Sequence, residues 1–224
     1  MRLSIVIPTL NEAANISQTL AILRANSPDL DCWVVDGGSV DSTVELAMAA
    51  GAKVLHCTGG RGAQLNMGAD HAAGDTLLFL HADTQLPPDF QNEVERVLSQ
   101  PRVVAGAFPL SIASAGWGLK LVMWGTQQRS RWLQLPYGDQ ALFLRRSTFD
   151  ATGGFPLLPI MEDFVWVRRL QRLGRIALAN SPVLTSDRRW KRLGLVRTTI
   201  VNQLMILGYG AGVSPHRLAR WYRR

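Results

Sequence analysis

Two short segments carry the side chains best suited to chemistry, Leu80-His81-Ala82-Asp83 and Met161-Glu162-Asp163-Phe164. His81 and Asp83 lie two residues apart at the end of an apolar run, so on a strand they point the same way. Imidazole and carboxylate together suit a divalent cation, which Asp83 would bridge to phosphate oxygens. Glu162 and Asp163 open a helical stretch whose Trp166 and Leu170 face inward. Acidic residues there complement the helix dipole, and a carboxylate at a cleft edge can act as a general base.

Three other loops have unusual composition. Pro8-Thr9-Leu10-Asn11-Glu12 follows the first apolar run, where neither a dinucleotide-binding G-x-G-x-x-G nor a P-loop is found. Thr9 and Glu12 fit a capping box for the next helix, as do Ser42 and Glu45 further on. Asp36 ends a second apolar run and is followed by Gly37-Gly38-Ser39. The glycines let a flat ring approach, and a carboxylate can accept an N–H from a base such as uracil. Asp41 and Ser42 read as caps. Gly59-Gly60-Arg61-Gly62 opens a helix containing Gln64, Asn66 and Gly68, and glycines with an arginine at a helix N-terminus suit a diphosphate. Gly138-Asp139-Gln140 and Arg188-Arg189-Trp190 are two further polar runs that would line a ligand site. Their alternative readings are a turn and a basic helix edge.

Alternating short and long periodic segments must position these loops. Strands are expected at Leu3–Pro8, Cys32–Asp36, Ala52–His56, Thr76–Ala82 and Val103–Ile112, with helices near 12–26, 42–50, 62–73 and 89–99. Apolar strands between amphipathic helices predict an α/β fold with a mostly parallel sheet covered on both faces. Ligands in such sheets bind beyond the carboxyl ends of the strands, which selects the loops after Pro8, Asp36, Cys57 and Ala82. The second half shows a helix near 115–132 with Trp117, Leu121 and Trp124, a strand at Ala141–Leu144, and helices near 161–173 and 190–209. No linker or repeat interrupts the chain, so 1–224 is expected as one domain. Residues 1–110 form its nucleotide-holding half and 111–224 its acceptor-side half.

Charge divides along the same line. Residues 1–100 carry 5 Lys/Arg against 12 Asp/Glu, and residues 101–224 carry 19 against 5, or about −7 and +14. A basic half suits phosphorylated substrates or anionic lipid, and an acidic half suits a metal. The arginines lack a nucleic-acid-binding motif or regular aromatic interleaving, so no nucleic-acid partner is expected. Cys32 and Cys57 read as thiols in a reducing compartment. No secretory leader or membrane-spanning run is evident, which predicts a cytoplasmic protein. Arg217, Arg220, Arg223 and Arg224 with Trp221 and Tyr222 would give a peripheral contact to the inner membrane face.

Taken in order over residues 3–173, these motifs resemble the family 2 glycosyltransferases of the GT-A fold. Ile7 to Glu12 looks like that family's opening strand motif, and Asp36 to Asp41 like its nucleotide-base motif. Leu80-His81-Ala82-Asp83 is similar to its Asp-x-Asp metal motif, with His81 in place of the first aspartate, and Glu162-Asp163 to its catalytic-base motif. The resemblance implies a nucleotide-diphosphate sugar donor, UDP-linked by preference, bound by Pro8, Thr9, Asn11, Glu12, Asp36, Gly37, Ser39, Arg61, Asn66 and Ala82. It implies Mn²⁺ or Mg²⁺ on Asp83 with His81 assisting, and Asp163, or failing it Glu162, as base in an inverting transfer. The acceptor, a small molecule or a lipid-linked one, would meet Asp139, Gln140, Arg189 and Trp190. A finer likeness, in Gly60–Asn66, Leu80–Thr84 and Arg188–Trp190, is to a bacterial subgroup associated with arsenosugar biosynthesis and radical SAM/selenodomain proteins. A nucleotidyltransferase is the alternative enzyme, although it would want a Gly/Arg/Lys-rich loop after the first strand. A nucleic-acid-binding protein using the basic half is the non-enzymatic alternative.

Overall fold

The computed structural model describes residues 1–113 and 116–222, apart from the side chains of Arg189, Arg192, Leu193, Leu195 and Val196. Arg223 and Arg224 therefore lie outside the described residues. The first half runs β1 (Leu3–Thr9), α1 (Ala13–Asn26), β2 (Asp31–Asp36), α2 (Thr43–Ala49), β3 (Lys53–His56), α3 (Arg61–His71), β4 (Thr76–Phe79), β5 (Thr84–Gln85), α4 (Phe90–Leu98) and β6 (Val103–Ala107). The second half adds β7 (Leu110–Ile112), α5 (Trp117–Trp132), a 3-10 turn at Gly138–Gln140, β8 (Phe143–Arg145), α6 (Arg146–Thr152) and α7 (Glu162–Leu170). It ends with β9 (Arg175–Leu178), β10 (Val183–Thr185), α8 (Arg188–Leu193), α9 (Leu195–Gly210) and α10 (Pro215–Tyr222).

A seven-stranded sheet has the order β3-β2-β1-β4-β8-β6-β9, and a small sheet has the order β5-β10-β7. The first four strands of the large sheet are mutually parallel, whereas β8 runs antiparallel to both of its neighbours. Thr9, Asp36, His56 and Phe79 therefore end at one edge, and the loops that follow them converge there. Alternation along β1 explains the two-faced packing. Ile5 and Ile7 pack with Ile16 and Leu20 of α1, while Val6 faces Leu65 and Ala69 of α3.

Gly68 in α3 sets how closely that helix lies on the sheet. A Cβ there would sit 2.3 Å from Val6 Cγ1 and 3.0 Å from Val35 Cγ2. Both are buried β-branched side chains with little freedom to move. Gly68→Ala is expected to cost about 1–3 kcal/mol of stability by overpacking, measurable as a lower urea midpoint at unchanged slope.

Several expected boundaries shift. The apolar run Val103–Ile112 splits between the two sheets at Phe108-Pro109, where proline has no N–H to continue a ladder. The fourth strand stops at Phe79, and residues 80–83 turn, with Thr84 N donating to His81 O at 3.1 Å. The expected helix 190–209 breaks at Gly194, whose φ of 79° an alanine would resist. Neither expected capping box forms. Thr9 remains in β1, and its hydroxyl donates to Asp36 Oδ1 at 3.2 Å. Ser42 is the N-cap of α2 but makes no side-chain cap bond. Asp41 instead accepts from Thr43 N at 3.1 Å and from Ala13 N at 3.2 Å, so one carboxylate serves two helix starts. That arrangement leaves Glu12 free to face the cleft.

Candidate active site

The converging loops enclose a cleft of about 740 Å³, which receives Pro8, Thr9, Glu12, Gly37, Arg61 and Asp83 among its walls. His81, Ala82 and Glu162 complete the side nearest the second half. A depression of about 590 Å³ near Met1, Asp75 and Arg146 lies away from these loops. The Arg146 guanidinium there donates to the carbonyls of Ala69, Ala72 and Gly74, with each of its three nitrogens holding the local backbone.

The nucleotide side is built by mutual bracing of the first two loops. Asp36 is buried and accepts from Gly38 N at 2.9 Å, Ser39 N at 2.8 Å and Thr9 Oγ1. Burial pushes its pKa up, but the hydroxyl of Ser39 and these other donors outweigh that and hold it below the usual carboxylate value. Asn11, in the left-handed region at φ 55°, donates its N–H to Ser39 Oγ and accepts from Val40 N through its amide oxygen. Asp36, Asn11 and Ser39 thus shape the loop, and Gly37 presents its backbone to the cleft. Gln64, buried in α3, donates to both Thr9 O and Val35 O at 2.9 and 2.8 Å. Its role was hidden in the sequence because a lone amide on a helix carries no motif. Asn66 clamps a neighbouring turn instead, donating to Phe155 O and accepting from Phe155 N.

His81 and Asp83 diverge, contrary to the strand-based expectation, because both follow the end of β4. His81 Nε2 lies 3.3 Å from Arg61 Nη1. Burial and then the Arg61 charge push its pKa down to about 3, so the ring is neutral. Asp83 instead faces Glu12 and Arg188. Burial first and the Glu12 charge second raise its pKa, and Arg188 opposes the shift. One Arg188 nitrogen, Nη2, lies 2.8 Å from Glu12 Oε2 and 3.8 Å from Asp83 Oδ2. Glu12 and Asp83 thus offer carboxylate oxygens, the donor type Mg²⁺ and Mn²⁺ take, on one wall of the cleft, with the Arg188 cation near both. Among the described residues, however, no cluster of three or more His, Cys, Asp or Glu is assembled.

At the other wall Arg61 is ion-paired with Glu162, and its Nη2 lies 3.6 Å from Asp163 Oδ2. Burial opposes the arginine's charge, but the two carboxylates more than compensate and raise its pKa. Glu162 is buried in this pair, whereas Asp163 keeps some exposure. Asp163 Oδ2 accepts from Gly138 N at 2.8 Å, and Oδ1 from Phe164 N at 2.7 Å. A Cβ at 138 would crowd this contact, lying 3.1 Å from Asp163 Oδ2 and 3.2 Å from His81 Nε2.

Asp163 also opens onto a smaller cavity of about 150 Å³ shared with Tyr137, Asp139, Phe164, Met205 and Ile206. Asp139 Oδ1 is buried there without a hydrogen-bond partner among the described residues. Burial raises its pKa, and the Arg129 charge pulls the other way. Gln140 points inward. Its side chain accepts from Ser130 Oγ and donates to Phe108 O, and it is fully buried. Trp190 is partly buried against a hydrophobic core shared by both halves, and the Arg189 side chain lies outside the described residues. Sequence reasoning named Arg188 only within the Arg188-Arg189-Trp190 run and Tyr222 only as a lipid contact, and it passed over Tyr137; both tyrosines line the smaller cavity, a placement set by contacts with distant loops.

Known proteins place this geometry. The sequence profile of Glycosyl transferase family 2 matches residues 4–159. The chain is 33% identical over 92 residues to the 4,4'-diaponeurosporenoate glycosyltransferase of Staphylococcus haemolyticus, covering 38% of this chain and 24% of that protein. It is 27% identical over 235 residues to the undecaprenyl-phosphate 4-deoxy-4-formamido-L-arabinose transferase of Pseudomonas fluorescens, covering 92% of this chain and 68% of that one. Against the first of these relatives the chain spans only about a quarter of the length. Its fold matches the mannosyltransferase PcManGT from Pyrobaculum calidifontis, solved with GDP-Man and Mn²⁺, at a TM-score of 0.68 and 20% identity over 83% of this chain and 56% of that one. It also matches glucosyl-3-phosphoglycerate synthase from Mycobacterium tuberculosis, solved with Mn²⁺, UDP and glucosyl-3-phosphoglycerate, at 0.59 and 21%, covering 90% and 78%. The mostly parallel sheet is thus that of the GT-A glycosyltransferases, and the chain belongs to glycosyl transferase family 2.

Proposed function

We propose that the chain is an inverting glycosyltransferase that moves a sugar from a nucleoside diphosphate, preferably UDP, to an acceptor hydroxyl. The observation that carries this reading is the position of Asp163, which touches the donor cleft through Arg61 and opens onto the cavity that holds Asp139. A carboxylate so placed can take a proton from an acceptor entering by the cavity while the donor lies in the cleft. The acceptor oxygen bonds to the anomeric carbon, and the bond to the phosphate oxygen breaks on the opposite face. The electron pair leaves with the nucleoside diphosphate, and the proton goes to Asp163. Glu162 is the poorer candidate, because it is buried and committed to Arg61. The unpartnered Asp139 Oδ1 is suited to an acceptor hydroxyl, and Gln140 supports that turn from behind.

The loop braced by Asp36, Asn11 and Ser39 would hold base and ribose against Pro8, Thr9 and Gly37. Asp83 and Glu12 fit a divalent cation, Mn²⁺ or Mg²⁺, as oxygen donors on one wall of the cleft, from which Arg188 would have to draw back. Such a cation, when bound, would neutralise charge on the leaving diphosphate. His81, neutral and turned to Arg61, is better suited to orienting Arg61 than to completing that pair. The acceptor is a small molecule or a lipid-linked one, and the exposed Arg217, Arg220 and Trp221 of α10 suit a peripheral contact. Membership of the arsenosugar or radical SAM-associated subgroup rests on the motif likeness alone. No helix among the described residues is long and apolar enough to cross a membrane.

Ligand-dependent melting tests the reading. UDP with Mn²⁺ at about 100 times its Kd is expected to add about 2.7 kcal/mol, or roughly 5–10 °C. Smaller shifts are expected with UDP alone, nucleoside triphosphates and DNA. Equal shifts with triphosphates would favour a nucleotidyltransferase, and a shift with DNA alone would favour the nucleic-acid reading.

A further inference from the structure

Helices α5 and α9 each carry two apolar faces. On α5, Leu119 and Met123 pack against the core, yet Trp117, Leu121 and Trp124 are 81%, 57% and 60% exposed. On α9, Val201, Met205, Ile206 and Tyr209 pack around Met161 and Phe164, yet Ile200, Leu204 and Leu207 are 51%, 54% and 66% exposed. Each exposed set follows helical spacing, so it forms a stripe on its helix, and the two helices touch one another. The Trp117, Leu121 and Trp124 periodicity in the sequence therefore marks an outward face. A helix that is apolar on both sides needs a second apolar environment.

Charge identifies that environment. Exposed Lys120 lies three residues after Trp117, and exposed Arg197 three before Ile200. The charged residues of α5 are Lys120, Arg129 and Arg131 and that of α9 is Arg197, with no Asp or Glu in either helix. Tryptophan and aliphatic side chains flanked by cations, without carboxylates, match the boundary between headgroups and acyl chains of an anionic bilayer. A second copy of the chain fits poorly, because a self-complementary contact would press two carboxylate-free basic faces together.

We propose that the α5–α9 face docks on an anionic lipid surface, with Trp117, Leu121, Trp124, Ile200, Leu204 and Leu207 entering the headgroup boundary and Lys120 and Arg197 meeting lipid phosphates. The inner side of α9 contributes Met205 and Ile206 to the cavity that holds Asp163. Docking would therefore bring the proposed acceptor side next to the membrane. The surface itself does not depend on the glycosyl-transfer reading.

The test uses the full chain and sedimentation with vesicles of phosphatidylcholine, with or without about 30% phosphatidylglycerol. Wild-type protein is expected to partition at least roughly 10-fold more strongly onto the anionic vesicles, with a blue shift of tryptophan emission. The double variant Trp117→Ser/Trp124→Ser is expected to lose at least about 10-fold of that partitioning, with melting temperature and UDP–Mn²⁺ stabilisation unchanged. Lys120→Glu/Arg197→Glu should act likewise. The proposal is overturned if wild type shows no preference for anionic vesicles, or if the tryptophan variant binds them as wild type does. It is also overturned if only Arg217→Ala/Arg220→Ala abolishes binding, which would assign docking to α10. A lipid-free dimer that the tryptophan substitutions dissociate would assign the face to a protein contact instead. Failure of UDP stabilisation with vesicle binding intact would reject the donor reading and leave the docking surface standing.

Discussion

Asp163→Asn is expected to lower turnover by a factor on the order of 10²–10⁴ while leaving nucleotide binding and folding nearly intact. Asp163 Oδ2 accepts the Gly138 N–H and Oδ1 the Phe164 N–H, and an asparagine keeps an acceptor for only one of them, a loss of about 0.5–1.5 kcal/mol. Arg61 keeps its closer partner, Glu162, so the substitution strands no buried charge. What asparagine lacks is the ability to take a proton from an acceptor hydroxyl. Urea denaturation should therefore place the variant within about 1.5 kcal/mol of wild type, and single-turnover kinetics should carry the loss of activity. Wild-type turnover in this variant would move the base to another residue, with Glu162 or Asp139 next to be tested.

Asp83→Asn is expected to lower turnover by about 10²–10³, a loss of the size seen when one electrostatic contact to developing charge is removed. It is also expected to weaken Mn²⁺ binding in the absence of any sugar, read by electron paramagnetic resonance of free Mn²⁺. The pH dependence has a definite sign. Burial and the Glu12 charge raise the Asp83 pKa, so on the acid side Mn²⁺ must displace a proton to bind. Wild-type Mn²⁺ affinity should fall as pH drops through that raised value and level off above it. Asparagine at 83 should flatten the contribution of this site. Mn²⁺ bound by the variant as tightly as by wild type would place the cation on other ligands.

These two carboxylates also mark how far local sequence reaches. The four loops after the first strands were legible because strand and helix periodicity, with Asp-Gly-Gly and Gly-Arg-Gly punctuation, are local signals. The parallel order of the strands then forces their carboxyl ends to one edge, so the cleft follows from pattern alone. His81 and Asp83 show where locality stops. Two-residue spacing implies a shared direction only on a strand, and β4 ends before both of them.

The first half's layered α/β architecture, the convergence of its loops on one cleft, and the acidic pair at the head of α7 were determined by the sequence itself. Hydrophobic period and turn chemistry act over a few residues and need no distant partner. Tertiary structure decided what each charge meets. Arg61 pairs with Glu162 across 101 residues, and Arg188 reaches Glu12 across 176. Such contacts depend on how two halves pack, which no local pattern encodes. The same packing turned Gln140 inward, left Asp139 Oδ1 without a partner among the described residues, and set the α5 tryptophans facing out. Burial is a property of the assembled surface, and a helical stripe reports its spacing without saying which side will be covered.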